Sequence, residues 1–277
     1  MVDLAPHNPY GLRIATPLIA AAGSLGYGLE VARRLDLTSP GATHGLGAII
    51  TRTTTIHPRR ADQSPTLIET PSGLLYTGVE QNPGIALVRK RYAPAWAEWR
   101  IPVILSVAAA TSSELSMLLA DLDMIEGVGG IELPLAQLGA LTPATATPLI
   151  TAARQATPLP IIVKLPAHAP DIVALAHAAA LAGADALSLI DAIPAVAATS
   201  TTGMARGLLC GPAIRPIALH AVAAVAAAVN IPVIGGGGVW EPADLQALLA
   251  VGATAVALGS ALLCDLRTAA RLAASVL

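Results

Sequence analysis

Lys164 stands in the run PIIVKLP, at the end of an apolar stretch, and shares the 277-residue chain with one other lysine, Lys90. A lysine at the carboxyl end of a buried strand aims its ammonium beyond the sheet, where it can offset negative charge that develops in a reaction. The bland use of such a lysine is to pack its stem and keep its head in water. Scarcity weakens that reading, because arginine supplies almost all the other positive charge. Arg52, in TRTTT after another apolar run, is the second candidate. Its planar fork binds a carboxylate or a phosphate through two parallel hydrogen bonds.

Two glycine-bearing segments follow late in the chain. IGGGGV (234–239) comes directly after an apolar run and before a helical segment, and LGSA (258–261) ends the next run. Glycines in these places let backbone N–H groups approach a phosphate closely. A turn that needs glycine only for its positive φ is the simpler alternative. Two such loops on adjacent strands favour an anion site.

These residues need a scaffold, and the hydrophobic pattern supplies it. Short, β-branched, unalternating runs occupy 17–21, 48–51, 102–107, 130–133, 160–165, 186–190, 232–234 and 253–258. Continuous apolar strands are covered on both faces, as in a parallel sheet flanked by helices. Segments 171–182, 216–229 and 242–251 read as helices, two of them ending at Gly183 and Gly252 as expected C-cap positions. AGADAL, VGATAV and GLGAII repeat one grammar, a helix end turned by glycine into a strand. Eight strand–helix units in one chain of this length predict a single-domain (β/α)8 TIM barrel over residues 1–277. The segment 53–92 is too long for an ordinary connection and reads as an elaborated loop at the carboxyl face, where such barrels keep their chemistry.

Composition closes off several classes. The net charge is −2 and only 12% of residues are charged, so neither a nucleic-acid nor an anionic-membrane surface is expected. The uncharged stretch 221–240 contains Pro232 and four consecutive glycines, and reads as helix, strand and loop rather than a membrane span. The first ten residues lack a basic region followed by an apolar one, and two cysteines make no disulfide framework. A cytoplasmic setting is the expectation. The six histidines show no metal-ligand spacing, so no metal site is expected, although His57 and His168 are placed to line a barrel mouth. Cys264 reads as core, Cys210 as a small buried residue beside Gly211. Arg89, Lys90 and Arg91 with Trp96 and Trp99 read as a solvated helix face or a subunit contact.

The chain resembles the dihydroorotate dehydrogenase family, in particular its soluble class that works with an iron–sulfur flavoprotein partner. The likeness runs almost end to end, through TPLIAAAGSLGYGLE, TRTTTIHPR, ETPSGLLYTGVEQNPG, VKLPAHAPDIVALA, AGADALSLI, CGPAIRPIAL, IPVIGGGGV and GATAVALGSA. It implies FMN at the barrel mouth, taking a hydride from a dihydropyrimidine. The matching cofactor positions are Ala22, Gly23, Arg52, Thr53, Lys164, Ile190, Gly211, Gly237, Gly238, Gly259 and Ser260. Lys164 and Arg52 are the implied catalytic cations, with Lys164 beside the flavin's N1 and O2. A homodimer, with an iron–sulfur flavoprotein subunit, is the implied assembly.

The departures from that family's pattern cluster at the substrate. In ELPLAQLG (132–139) the flavin-contacting asparagine is Pro134, the base cysteine aligns with Gln137, and the last asparagine with Gly139. Gln137 cannot take a proton near neutral pH. The substrate-loop asparagine becomes Tyr76, its glycine and leucine become Val79 and Glu80, and the asparagine after strand six becomes Asp191. Arg52 replaces a lysine, and Leu208 a phosphate-loop glycine. Tyr76, Glu80 and Asp191 are therefore the candidate substrate residues, with Glu80 or Asp191 a candidate proton acceptor. The expectation is an FMN-binding oxidoreductase with an altered substrate or weak activity on dihydroorotate. A catalytically degenerate barrel kept as a flavin-binding or partner subunit is the alternative. A barrel using the phosphate site for a phosphorylated substrate is a third.

Overall fold

All eight apolar runs become strands, and each pairs in parallel with both of its neighbours. The computed structural model describes residues 1–39, 44–60, 66–78, 81–120, 122–199 and 203–275. In chain order the strands are β1 (Val2–Asp3), β2 (Arg13–Ile14), β3 (Leu18–Ala20), β4 (Ala48–Ile50), β5 (Thr66–Thr70), β6 (Gly73–Thr77) and β7 (Val103–Ser106). They continue with β8 (Val128–Pro134), β9 (Ile161–Leu165), β10 (Ala186–Leu189), β11 (Ile193–Thr199), β12 (Gly203–Cys210), β13 (Val233–Gly236) and β14 (Ala255–Leu258). The helices are α1 (Ala32–Leu35), α2 (Ile85–Arg91), α3 (Ala93–Trp96), α4 (Ser112–Leu119) and α5 (Pro143–Ala156). After these come α6 (Ile172–Leu181), α7 (Arg215–Ala226), α8 (Pro242–Ala250), α9 (Ser260–Cys264) and α10 (Thr268–Ala273).

β3, β4, β7, β8, β9, β10, β13 and β14 close into a barrel in that order, so the fold is the expected (β/α)8 TIM barrel. Every residue of β3, β4, β7, β10, β13 and β14 is buried, which is why these strands read as unbroken apolar runs. Inside the barrel Ile19, Ile50, Ile104, Ile162 and Ile234 pack with small alanines. The amino-terminal hairpin β1–β2 plugs the lower end, contributing Leu4, Leu12 and Ile14 to the same cluster. Each such side chain contributes about 1.5–3 kcal/mol on burial.

Helix ends follow the sequence signals. Thr111, Thr142 and Asp171 cap α4, α5 and α6 by accepting the third amide of each helix. Gly183 and Gly252 follow α6 and α8 with φ of 110° and 104°, the left-handed turn that sends the chain back into a strand. GLGAII departs from that grammar. Gly45 also has positive φ, but α1 already ends at Leu35, so this glycine is not a helix cap.

The described residues of the elaborated loop include regular structure. The loop carries the β5–β6 hairpin and α2, and β6 pairs with a second hairpin, β11–β12, that the sequence reading lacks. Together they form a four-stranded antiparallel sheet, β11-β12-β6-β5, outside the barrel. Trp96 is buried and donates its indole N–H to Tyr27 O at 3.0 Å, so of the basic–aromatic cluster only Lys90 and Arg91 are exposed, while half-buried Arg89 donates to Ala120 O at 2.6 Å. Among the described residues no helix is long and apolar enough to cross a membrane.

Candidate active site at the carboxyl end of the barrel

The carboxyl ends of the barrel strands open into one cavity of about 300 Å³, a size usual for small-molecule and cofactor sites. Every residue singled out for the cofactor lines it. Ala22 and Gly23 come from the turn after β3, Arg52 and Thr53 from the end of β4, and Lys164 from β9. Ile190 follows β10, Gly211 follows β12, Gly237 and Gly238 follow β13, and Gly259 and Ser260 follow β14. Tyr76 and Asp191 also line the cavity, whereas Glu80 and Val79 lie outside the described residues.

Local hydrogen bonding explains how the strand ends hold these positions. After β3 the chain turns tightly, with both Ser24 N and Ser24 Oγ donating to Ala21 O at 3.0 and 2.7 Å. The Arg52 amide is tied to Gly26 O at 2.8 Å, which fixes the start of that side chain at the rim. Ile190 N donates to Gly236 O at 3.0 Å, joining the end of β10 to β13. Gly237 and Gly238 have φ of 121° and 78°. Their amides, and that of Gly259, donate to no acceptor among the described residues. A Cβ on Gly238 would lie 2.8 Å from Gly211 O, so the loop packs directly on the β12–α7 connection. A Cβ on Gly259 would meet nothing nearer than Ala21 Cβ at 3.9 Å, so this glycine faces open space.

Lys164 is the one residue of β9 that is not fully buried, and its side chain is 12% exposed. Its ammonium lies 3.2 Å from Asp191 Oδ1, whose side chain is 18% exposed. Asp191 is held by its own backbone: its amide donates to Leu165 O at 3.3 Å, and Oδ1 accepts the Ala192 amide at 2.9 Å. The sequence reading treats Asp191 as a substrate residue and candidate proton acceptor; the structure makes it the ion-pair partner of Lys164 as well. Deeper in the cavity Glu132 is fully buried, and its Oε1 accepts the Ser106 hydroxyl at 3.0 Å. Ser106 Oγ lies 3.1 Å from Thr53 Oγ1, so a hydroxyl chain links the rim to this carboxylate. Glu132 was not singled out from sequence. Its signal was a carboxylate embedded in an otherwise apolar strand, IELP.

The antiparallel sheet supplies the outer wall. Its register aligns Pro194, Leu208, Tyr76 and Leu67 in one row across the four strands. Leu67, Tyr76 and Leu208 line the cavity from that row, Pro134 lines it from the end of β8, and Gln137 from the turn that follows. Cys210 also lines it, and burial, with Cys264 adding to it, pushes its thiol above the ordinary range. Its Sγ donates to Leu74 O at 3.4 Å. Cys264, expected in the core, is exposed at the end of α9. His57 lines a separate outer groove with Arg59 and Glu114, and His168 does not line the cavity. Among the described residues no group of three or more His, Cys, Asp or Glu is arranged to hold a metal.

A barrel with cations and glycine loops at its carboxyl end fits many chemistries. The profile of the dihydroorotate dehydrogenase family matches residues 6–273. The chain belongs to that family. The catalytic subunit of dihydroorotate dehydrogenase B (NAD(+)) of Desulforudis audaxviator is 37% identical, covering 96% of this chain and 89% of its own length. The subunits of the same description from Pelobacter propionicus and Desulforamulus reducens are 36% and 35% identical, covering 92% and 90% of this chain. The family likeness thus spans the barrel and every element that lines the cavity.

Proposed function

We propose that the chain is an FMN-binding oxidoreductase subunit whose substrate differs from dihydroorotate. The observation that carries this reading is the convergence of Lys164, Arg52 and two glycine loops on one cavity. The residues present suit the cofactor. Amides of Gly237, Gly238 and Gly259 without acceptors among the described residues suit a phosphate. Gly259, with nothing closer than 3.9 Å to its missing Cβ, leaves room for one. When bound, FMN would take a hydride from a substrate C–H bond and pass the electron pair to an acceptor. Lys164 would hold positive charge against the ring edge that becomes negative, and the buried strand ends would keep water away from it. Arg52 would anchor a negatively polarised group through its fork.

Gln137 supports the altered substrate, because an amide at the position of the family's base cannot accept a proton. The same residue favours a second reading, a barrel that holds flavin as a partner subunit without turnover. The relatives' description as catalytic subunits supports a second subunit as electron acceptor, and we extend the proposal to that assembly, to a homodimer and to a cytoplasmic setting. The visible spectrum of the purified protein tests the cofactor. A flavin absorbance, or FMN quenching and a raised Tm on titration, is the expected result. A colourless protein that FMN neither quenches nor stabilises refutes it. Anaerobic bleaching by any dihydropyrimidine or related donor would remove the second reading.

A further inference from the structure

The outer half of the cavity has a charge balance that constrains its second ligand. Four side chains of the acidic and basic types line the cavity among the described residues: the cations Arg52 and Lys164, and the carboxylates Glu132 and Asp191. The described residues of the wall are therefore formally neutral before any cofactor enters, and a flavin phosphate brings about two negative charges of its own. Lys164 does not offer an uncommitted charge to that half, because Asp191 lies 3.2 Å away with both side chains largely buried. A close pair in a poorly solvated site presents a dipole rather than a cation.

Asp191 also has an oxygen to spare. Its Oδ1 takes the Ala192 amide and the Lys164 ammonium, and Oδ2 has no hydrogen-bond partner among the described residues. The side of the cavity formed by the antiparallel sheet is largely apolar. Leu67 and Leu208 are 49% and 40% exposed and flank Tyr76 in the same cross-strand row. Exposed leucines lining a cavity offer an apolar face to a bound ring.

Resting on the flavin reading above, we propose that the second ligand is an uncharged or cationic, largely apolar ring compound that donates an N–H to Asp191, not a carboxylate. An anion placed there would face Asp191 Oδ2 with Lys164 already engaged, and unpaired like charges in a dry site discriminate strongly. Asp191 is then a specificity-determining residue, and the leucine–tyrosine row sets the apolar face.

The test uses the FMN-loaded full chain and reads ligand binding as a flavin difference spectrum, with no turnover required. FMN titration comes first, and failure at that step sinks the flavin reading itself. Two matched series follow: benzamidine, benzamide and benzoate, which vary charge on one ring, and uracil against orotate, which differ by a carboxylate. The neutral or cationic members are expected to bind about tenfold or more tightly than the anions. Asp191→Asn, which turns the wall net positive while keeping shape, is expected to erase or reverse that ratio. FMN that binds normally while benzoate and orotate match their neutral partners in the wild type overturns the inference alone. So does an unchanged ratio in Asp191→Asn, or saturable binding by none of the neutral and cationic members.

Discussion

Replacing Gly259 by alanine separates cofactor binding from stability. Its added Cβ would enter open cavity space, with Ala21 Cβ at 3.9 Å as the nearest atom. The folded state should therefore change by no more than about 0.5 kcal/mol. A bound phosphate would lose the close approach to the Gly259 amide, a hydrogen bond to a charged acceptor worth about 1.5–3 kcal/mol. That is a rise in the FMN Kd of about 10- to 150-fold. Gly238→Ala is the contrasting variant. Its φ is 78°, and its Cβ would sit 2.8 Å from Gly211 O and 2.9 Å from Arg215 Cβ. The left-handed backbone costs about 1–2 kcal/mol and the overpacking about 1–3 more. A Tm lower by roughly 3–9 °C follows. The assay is FMN fluorescence quenching for Kd and circular dichroism for Tm, on both variants and the wild type. If Gly259→Ala binds FMN within about twofold of wild type, or melts as low as Gly238→Ala, the assignment of the β14 loop to phosphate is wrong.

Four further outcomes follow from the structure. Asp185 Oδ2 accepts from Arg154 at 2.9 Å, Ile161 N at 2.8 Å and Asn8 Nδ2 at 3.2 Å. Asp185→Ala should cost about 2–3 kcal/mol in chemical denaturation. Arg13→Ala, whose side chain is 74% exposed in its pair with Asp3, should stay within about 0.5 kcal/mol. His44 has its pKa lowered from 6.5 by burial, against an opposing pull from Asp36, and its Nδ1 accepts the Leu46 amide. Protons then bind the unfolded chain first, so this part of stability is complete above 6.5 and is lost as pH falls through the folded value. His44→Asn, which keeps an acceptor but does not titrate, should flatten a Tm-against-pH profile in that window. A disulfide-exchange reagent should label exposed Cys264 quickly and Cys210 slowly, since burial raises the Cys210 thiol. Added FMN should slow only the second phase, because Cys210 lines the cavity.

The barrel was legible because a parallel strand buried on both faces advertises itself in composition alone. Residues 48–51 and 253–258 need no partner to be recognised as strands, and each contains its observed strand. β11 and β12 left no such mark. They alternate between exposed and half-buried positions, pair with each other as a hairpin, and join the sheet only where β12 pairs with β6, more than a hundred residues earlier. The tight packing at Gly211, whose Cβ would lie 2.9 Å from Gly73 Cα, is a contact no local pattern contains.

The site divides along the same line. Lys164 at a strand end and glycines after β13 and β14 are facts of local chain chemistry, so the sequence by itself determined where the cations and the glycine loops would lie. Asp191 paired with Lys164, Glu132 buried below them and the Leu67–Tyr76–Leu208 wall were decided only by the closed fold. Charge offset depends on distance, and distances between residues far apart in the chain exist only once the barrel has closed and the antiparallel sheet has folded across its mouth.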